Sequence, residues 1–76
     1  MRDRATKVQR LLGDTMRAER VARGLSQEHL AHDAGLSRNY YGCIERGEKM
    51  PSALTVLQVA EALQLTAEEL FRRAKL

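Results

Sequence analysis

Apolar positions recur at helical spacing along most of the chain, and glycines cut the pattern into short pieces. The first piece runs from about Arg4 to Arg23, with Val8, Leu11, Leu12, Thr15, Met16 and Ala22 in register. Gly13 lies inside it, where the N-terminal part is expected to fray or bend, and Gly24 follows it as a terminator. Ser26 is placed to cap a second helix, Gln27 to Ala34, with Leu30, Ala31 and Ala34 inward. Gly35 ends that helix in a left-handed turn open to a residue without Cβ. After Leu36, Ser37 caps a third helix reaching about Arg46, and the gap of about three residues forces a sharp crossing. A loop from Gly47 to Pro51 follows. Ser52 then caps a fourth helix with Val56, Leu57, Val59, Ala60 and Leu63 on its apolar side. Thr66 and Glu69 have the spacing of a capping box and open a short fifth helix with Leu70 and Phe71. Arg72, Arg73 and Lys75 suit its C-terminal end. The pattern predicts an all-α fold: a compact five-helix bundle forming one domain over residues 1–76.

Composition narrows the class. At 76 residues, with one cysteine, the chain has no internal disulfide to staple it, and a helix bundle supported by dimerisation is the natural route to stability. Hydrophobic residues at 43% and charged residues at 30% fit a globular protein. No apolar run approaches the roughly 20 residues of a membrane span. The start, MRDRATKVQRLL, has no apolar signal core, so a cytoplasmic protein away from any membrane is expected. The formal net charge of +3 is compatible with phosphate binding only if the cations share a face.

The informative stretch is Gln27–Arg46, QEHLAHDAGLSRNYYGCIER. Ala31 is small where two helices must cross, Gly35 sits at the turn, and Tyr41 and Ile44 are large inner residues of the third helix. This is the pattern of a helix-turn-helix whose second helix enters the major groove. From Leu12 to Phe71 the chain resembles the Cro/C1, or xenobiotic-response-element, class of lambda-repressor-like helix-turn-helix domains. The segment SRNYYGCIERGEKMPS is similar to restriction–modification controller proteins. That resemblance implies a small stand-alone homodimer acting on its own operon, regulated through its concentration, with no cofactor and no small-molecule ligand. Gln64 departs from the family pattern, which often has Gly at the end of the fourth helix.

At about 100° per residue, Arg38, Asn39, Gly42, Cys43 and Arg46 share the outer face of the third helix. Arg can take guanine O6 and N7 in a bidentate pair, and Asn can do the same with adenine N6 and N7. Arg38, Asn39, Gly42 and Cys43 are therefore the expected base-reading set on double-stranded DNA, and close approach to DNA accounts for a helical Gly42. Phosphate contacts are expected from the helix starts at Gln27, Ser37 and Ser52, and from Tyr40, Arg46 and Lys49 on the flanks. Glu45 follows the core residue Ile44, and Arg20 lies one turn beyond Met16. The matching family positions carry an ion pair, so Arg20 and Glu45 are expected to form one, partly buried.

A two-fold dimer would place two recognition helices about 34 Å apart on a roughly palindromic operator. Leu54, Leu65, Leu70 and Phe71 are the expected interface, with Leu57 reserved for the core; Val8 and Leu11 of the first helix offer a rival one. His29 and His32 with Asp33 fall short of the three or four placed ligands of a zinc site, so no metal is expected. Cys43 reads as a small residue rather than an activated thiolate. No catalytic motif is present, and an enzyme has no supporting residue set. The alternative on this fold is an antitoxin-type subunit that mainly grips a partner protein. A large apolar patch away from Arg38 and Asn39 would favour it.

Overall fold

The computed structural model describes residues 2–76, with side chains from residue 4. Five helices follow in order: α1 Arg2–Ala22, α2 Gln27–Ala34, α3 Arg38–Glu45, α4 Ala53–Ala62 and α5 Ala67–Arg73. The starts of the last four are set by side-chain caps. Ser26 Oγ accepts from the His29 amide, Ser37 Oγ from Tyr40, Ser52 Oγ from Thr55 and Thr66 Oγ1 from Glu69. Glu69 returns a bond to the Thr66 amide and completes the capping box.

The ends share one geometry. Gly24, Gly35, Gly47, Gln64 and Lys75 each have positive φ, one after each helix. The next residue in each case (Leu25, Leu36, Glu48, Leu65 and Leu76) donates its amide to the carbonyl five residues back, at 2.8–3.2 Å. Leu25, Leu36 and Leu65 then fold back against the core. Gln64 holds φ +62° in the place of a glycine, so the α4 turn keeps the form of the α2 turn despite the different residue.

The core is built from Met16, Leu30, Tyr41, Ile44, Val59, Leu63 and Leu70, all fully buried. α1 packs on α3 and α5, and α2 packs on α3 and α4. Polar ties reinforce the outer seam. Glu19 of α1 accepts from Arg73 of α5 at 2.8 Å, and Arg23 Nε donates to the Leu63 carbonyl at 3.1 Å.

Three expectations change. α1 runs as one helix through Gly13, without a break. A Cβ at Gly13 would collide with the Ile44 carbonyl oxygen and lie 2.9 Å from that of Glu45, so this glycine is where α1 meets the end of α3. Leu57 is 54% exposed and leaves the core to Val56, Val59, Ala60 and Leu63, because α4 turns a narrower face inward than its apolar content suggests. Leu70 is wholly buried and cannot serve a dimer surface; it closes the bundle from α5.

Candidate nucleic-acid interface

α3 is held by its inner face. Tyr41 and Ile44 are sunk in the core, which turns Arg38 and Asn39 of the first turn outward, both exposed. Neither side chain hydrogen-bonds within the described residues, so both are available to a ligand. The Ser37 cap fixes the start of the helix beneath them, its Oγ 3.1 Å from the Tyr40 amide. Cys43 lies one turn further along, half-buried, with Arg46 Nη2 3.5 Å from its Sγ.

Gly42 sits differently from the expected base-reading position. It is buried: a Cβ there would lie 3.1 Å from Arg46 Nη1 and 3.7 Å from Gln27 Oε1. The Arg46 guanidinium folds back over it, so the small residue accommodates a neighbouring side chain. Arg46 itself is exposed and clamped by Glu48, with Nε–Oε2 at 2.9 Å and Nη2–Oε1 at 3.3 Å. That hydrogen bond holds the Glu48 carboxyl below its ordinary range and raises Arg46.

The flanks are braced by short polar links. The Tyr40 hydroxyl lies 3.3 Å from Thr55 Oγ1, to which Ser52 Oγ donates at 2.9 Å, so the start of α4 is tied to α3. Lys49 Nζ stands 6.0 Å from the centre of the Tyr40 ring, at the limit of a cation–π contact. Tyr40, Lys49 and the exposed Ser52 thus gather on one side of α3.

On the other side, Arg20 makes a bidentate pair with Glu45: Nε–Oε2 at 2.7 Å and Nη2–Oε1 at 3.0 Å. Arg20 Nη1 also donates to the Leu25 carbonyl, and Gln27 Nε2 donates to Glu45 Oε1 at 2.9 Å. One carboxylate therefore joins α1, α2 and α3. Burial pushes the Glu45 carboxyl up, but the hydrogen bonds from Arg20 and Gln27, together with the Arg20 charge, outweigh it and leave it lowered. The Tyr41 hydroxyl beside the pair is buried without a hydrogen-bond partner of good geometry, and burial drives its phenol upward. The Gln27 amide group is thus committed inside the protein, leaving the backbone at the start of α2 as the group able to meet a phosphate.

Arg17 was missed by the sequence reading. It lines a polar cavity of about 440 Å³ with Asp14, Gln27, Glu45 and Arg46. Its position one turn before Arg20 on α1 was the available signal, but only the packing of α1 across α3 brings it beside the start of α2. Among the described residues no three His, Cys, Asp or Glu side chains are arranged to hold a metal. No described helix is long and apolar enough to cross a membrane.

A family model described as "Helix-turn-helix" matches residues 16–70, the span from the core of α1 to α5. The chain is 35% identical over 66 residues to control protein C.SmaI of Serratia marcescens, covering 87% of this chain and 79% of that protein. It is 39% identical over 62 residues to an uncharacterised HTH-type transcriptional regulator of Mycobacterium tuberculosis strain H37Rv. That match covers 82% of this chain but spans 44% of the relative's length. The crystal structure of the restriction–modification controller protein C.AhdI from Aeromonas hydrophila superposes with a TM-score of 0.80 at 43% identity. It is matched over 96% of its own chain and 83% of this one. Two of these relatives are named as control or controller proteins and one as a transcriptional regulator. By fold, by the placement of α2 and α3, and by these matches, the chain belongs to the helix-turn-helix family of transcriptional regulators.

Proposed function

We propose that the chain is a cytoplasmic, sequence-specific regulator that lays α3 in the major groove of double-stranded DNA, as a homodimer on a roughly palindromic operator. The observation that carries this is the Arg38–Asn39 pair, exposed and without internal partners at the start of an anchored helix. These are side chains suited to guanine and adenine edges in that groove. Cys43 lies within reach of the same surface. The helix starts at Gln27, Ser37 and Ser52, with Tyr40, Lys49, Arg46 and the added Arg17, supply phosphate contacts that set register. Arg46 reaches a phosphate by exchanging its Glu48 carboxylate for it.

The specific role is that of a restriction–modification controller. It is supported by the match to C.AhdI over almost its entire length and by the likeness to C.SmaI. The unit is the single helix-turn-helix domain of residues 1–76. The dimer surface is the outer face of α4: Leu54, 64% exposed, and Leu57, 54% exposed, are one turn apart. Leu65, beyond the end of α4, is half-buried against the core and contributes only its exposed edge to that surface. Phe71 belongs elsewhere, in a groove with Val8 and Leu11. A foreign partner on Leu54 and Leu57, the antitoxin-type reading, is the competing occupant of this patch.

Footprinting on the DNA upstream of the protein's own gene tests the proposal. Two symmetric protected halves about one helical turn apart are expected. Binding should also fall with salt at a log–log slope of about −0.9 per neutralised phosphate. A single unpaired footprint, or salt-independent binding, would defeat it.

A further inference from the structure

The end of the molecule formed by residues 4–11 of α1 and the close of α5 carries a groove of about 450 Å³. Its lining residues all lie outside the 16–70 stretch that matches the helix-turn-helix family, and none belongs to α2, α3 or α4. The floor is apolar: Val8 and Leu11 from α1, Phe71 from α5 and Leu76 after it. Phe71 is 37% and Leu76 48% exposed, so the floor is open to a partner. The rim is cationic, with Arg4 and Lys7 on one side and Lys75 on the other, and none of the three pairs with a carboxylate among residues 4–76.

A second observation concerns the helix that forms one wall. The first ten residues hold Arg2, Arg4, Lys7 and Arg10 against Asp3 alone. Of the groove's cations, Arg4 lies in the first turn of α1, at the positive end of the helix dipole, where anions are the stabilising charge. The wall is therefore electrostatically incomplete, and an anionic occupant would relieve it.

We propose that this groove docks an acidic amphipathic helix from a partner protein. Such a segment lays apolar residues at i, i+3, i+4 and i+7 on the floor and sets Asp or Glu against Arg4, Lys7 and Lys75. A second copy of this chain fits poorly. A two-fold contact brings a patch onto itself, and Arg4, Lys7 and Lys75 would meet their own like charges. DNA fits the rim but not the floor, where four apolar side chains offer no hydrogen bond to phosphate or sugar. The groove goes beyond the regulatory reading above, since it uses none of the residues assigned to DNA or to the dimer face on α4.

The test uses the full chain and a fluorescein-labelled helical peptide roughly 15 residues long. The peptide carries Leu at i, i+3, i+4 and i+7 with Glu on both flanks; a control peptide has Lys in place of every Glu. Anisotropy should show binding of the Glu peptide and none of the Lys peptide. Lys7→Glu should weaken binding about tenfold or more, Lys7→Arg should retain it, and Phe71→Ala should weaken it by loss of floor area. Circular dichroism of each variant separates these losses from unfolding. No binding, equal binding of both peptides, or indifference to Lys7→Glu would overturn the proposal. Displacement of the peptide by a DNA duplex would make the groove a nucleic-acid surface instead. Conversion of a dimer to a monomer by Lys7→Glu would make it a self-interface, and either result would equally overturn the proposal.

Discussion

Arg38 and Asn39 are exposed because Tyr41 and Ile44, three and six residues beyond Arg38, are drawn into the core. Their side chains carry no structural duty, so replacing them should change recognition and leave stability nearly intact. Arg38→Ala and Asn39→Ala should each lose roughly 1–3 kcal/mol of discrimination at one base pair, whereas Lys49→Ala should weaken all sequences alike. Operator variants titrated in parallel would show this, and an Arg38→Ala protein that binds like the parent would mean another face reads the DNA. Glu45 is the opposite kind of residue. Its side chain is 1% exposed and its partner Arg20 12%, so Arg20→Met leaves a desolvated carboxylate and should cost about 3–5 kcal/mol in denaturant unfolding. Because the folded-state Glu45 carboxyl is lowered, its contribution is complete above the ordinary carboxylate range. That contribution is lost as pH falls below the ordinary carboxylate range and through the lowered value. The Arg20→Met/Glu45→Leu double variant should flatten this acid limb, and an unchanged limb would assign it to other carboxylates. Helical periodicity correctly turns Arg38 and Asn39 outward, but it places Gly42 on that face too. It has no knowledge that Arg46 curls back over the glycine.

Helix starts and stops were the most legible feature of the chain, because caps are local chemistry. Ser26, Ser37, Ser52 and Thr66 all hold the amide expected of them, and the observed ends fall within a residue or two of the sequence reading. The shared left-handed closing turn exposes one weak point. Gln64 holds a conformation that costs a residue with Cβ roughly 1–2 kcal/mol, against roughly 0.5–1 kcal/mol of extra unfolded-chain entropy for glycine. Gln64→Gly should therefore raise stability by less than about 1 kcal/mol and the thermal midpoint by a few degrees. Gly13 carries the reverse expectation. Alanine gains about 1 kcal/mol of helix propensity there, but its Cβ runs into the backbone carbonyls of Ile44 and Glu45, which cannot swing aside. Gly13→Ala should lower the midpoint by the equivalent of about 1–3 kcal/mol. A midpoint that rises on Gly13→Ala would mean that α1 and α3 can separate at little cost.

The arrangement of the five helices leaves two apolar surfaces of different character. Leu54 and Leu57 stand on α4, the helix whose first residues are tied to α3 through Ser52, Thr55 and Tyr40. A contact made there would fix the spacing of two recognition helices directly. The groove of Phe71 with α1 is instead ringed by cations and lies away from α3. Sedimentation should show a parent dimer at micromolar concentration, a monomer for Leu54→Glu and for Leu57→Glu, and a dimer still for Lys7→Glu. A dimer that survives both leucine changes would move the interface off α4, and a monomeric parent would remove the palindromic operator with it.

The order of amino acids specified what depends on neighbours a few residues apart: helical periodicity, four side-chain caps, glycine-bearing turns, and the short α2–α3 connection of the helix-turn-helix. It also made Tyr41 and Ile44 recognisable as core. Packing between distant helices settled the rest. It buried Leu70, freed Leu57, covered Gly42 with Arg46, and brought Arg17 to the start of α2. An amphipathic pattern names an apolar stripe but not its width, and the width is set by how closely the next helix approaches. At α1 and α3 that approach is set by the missing Cβ of Gly13, whose reason lies about thirty residues away in the backbone of Ile44 and Glu45.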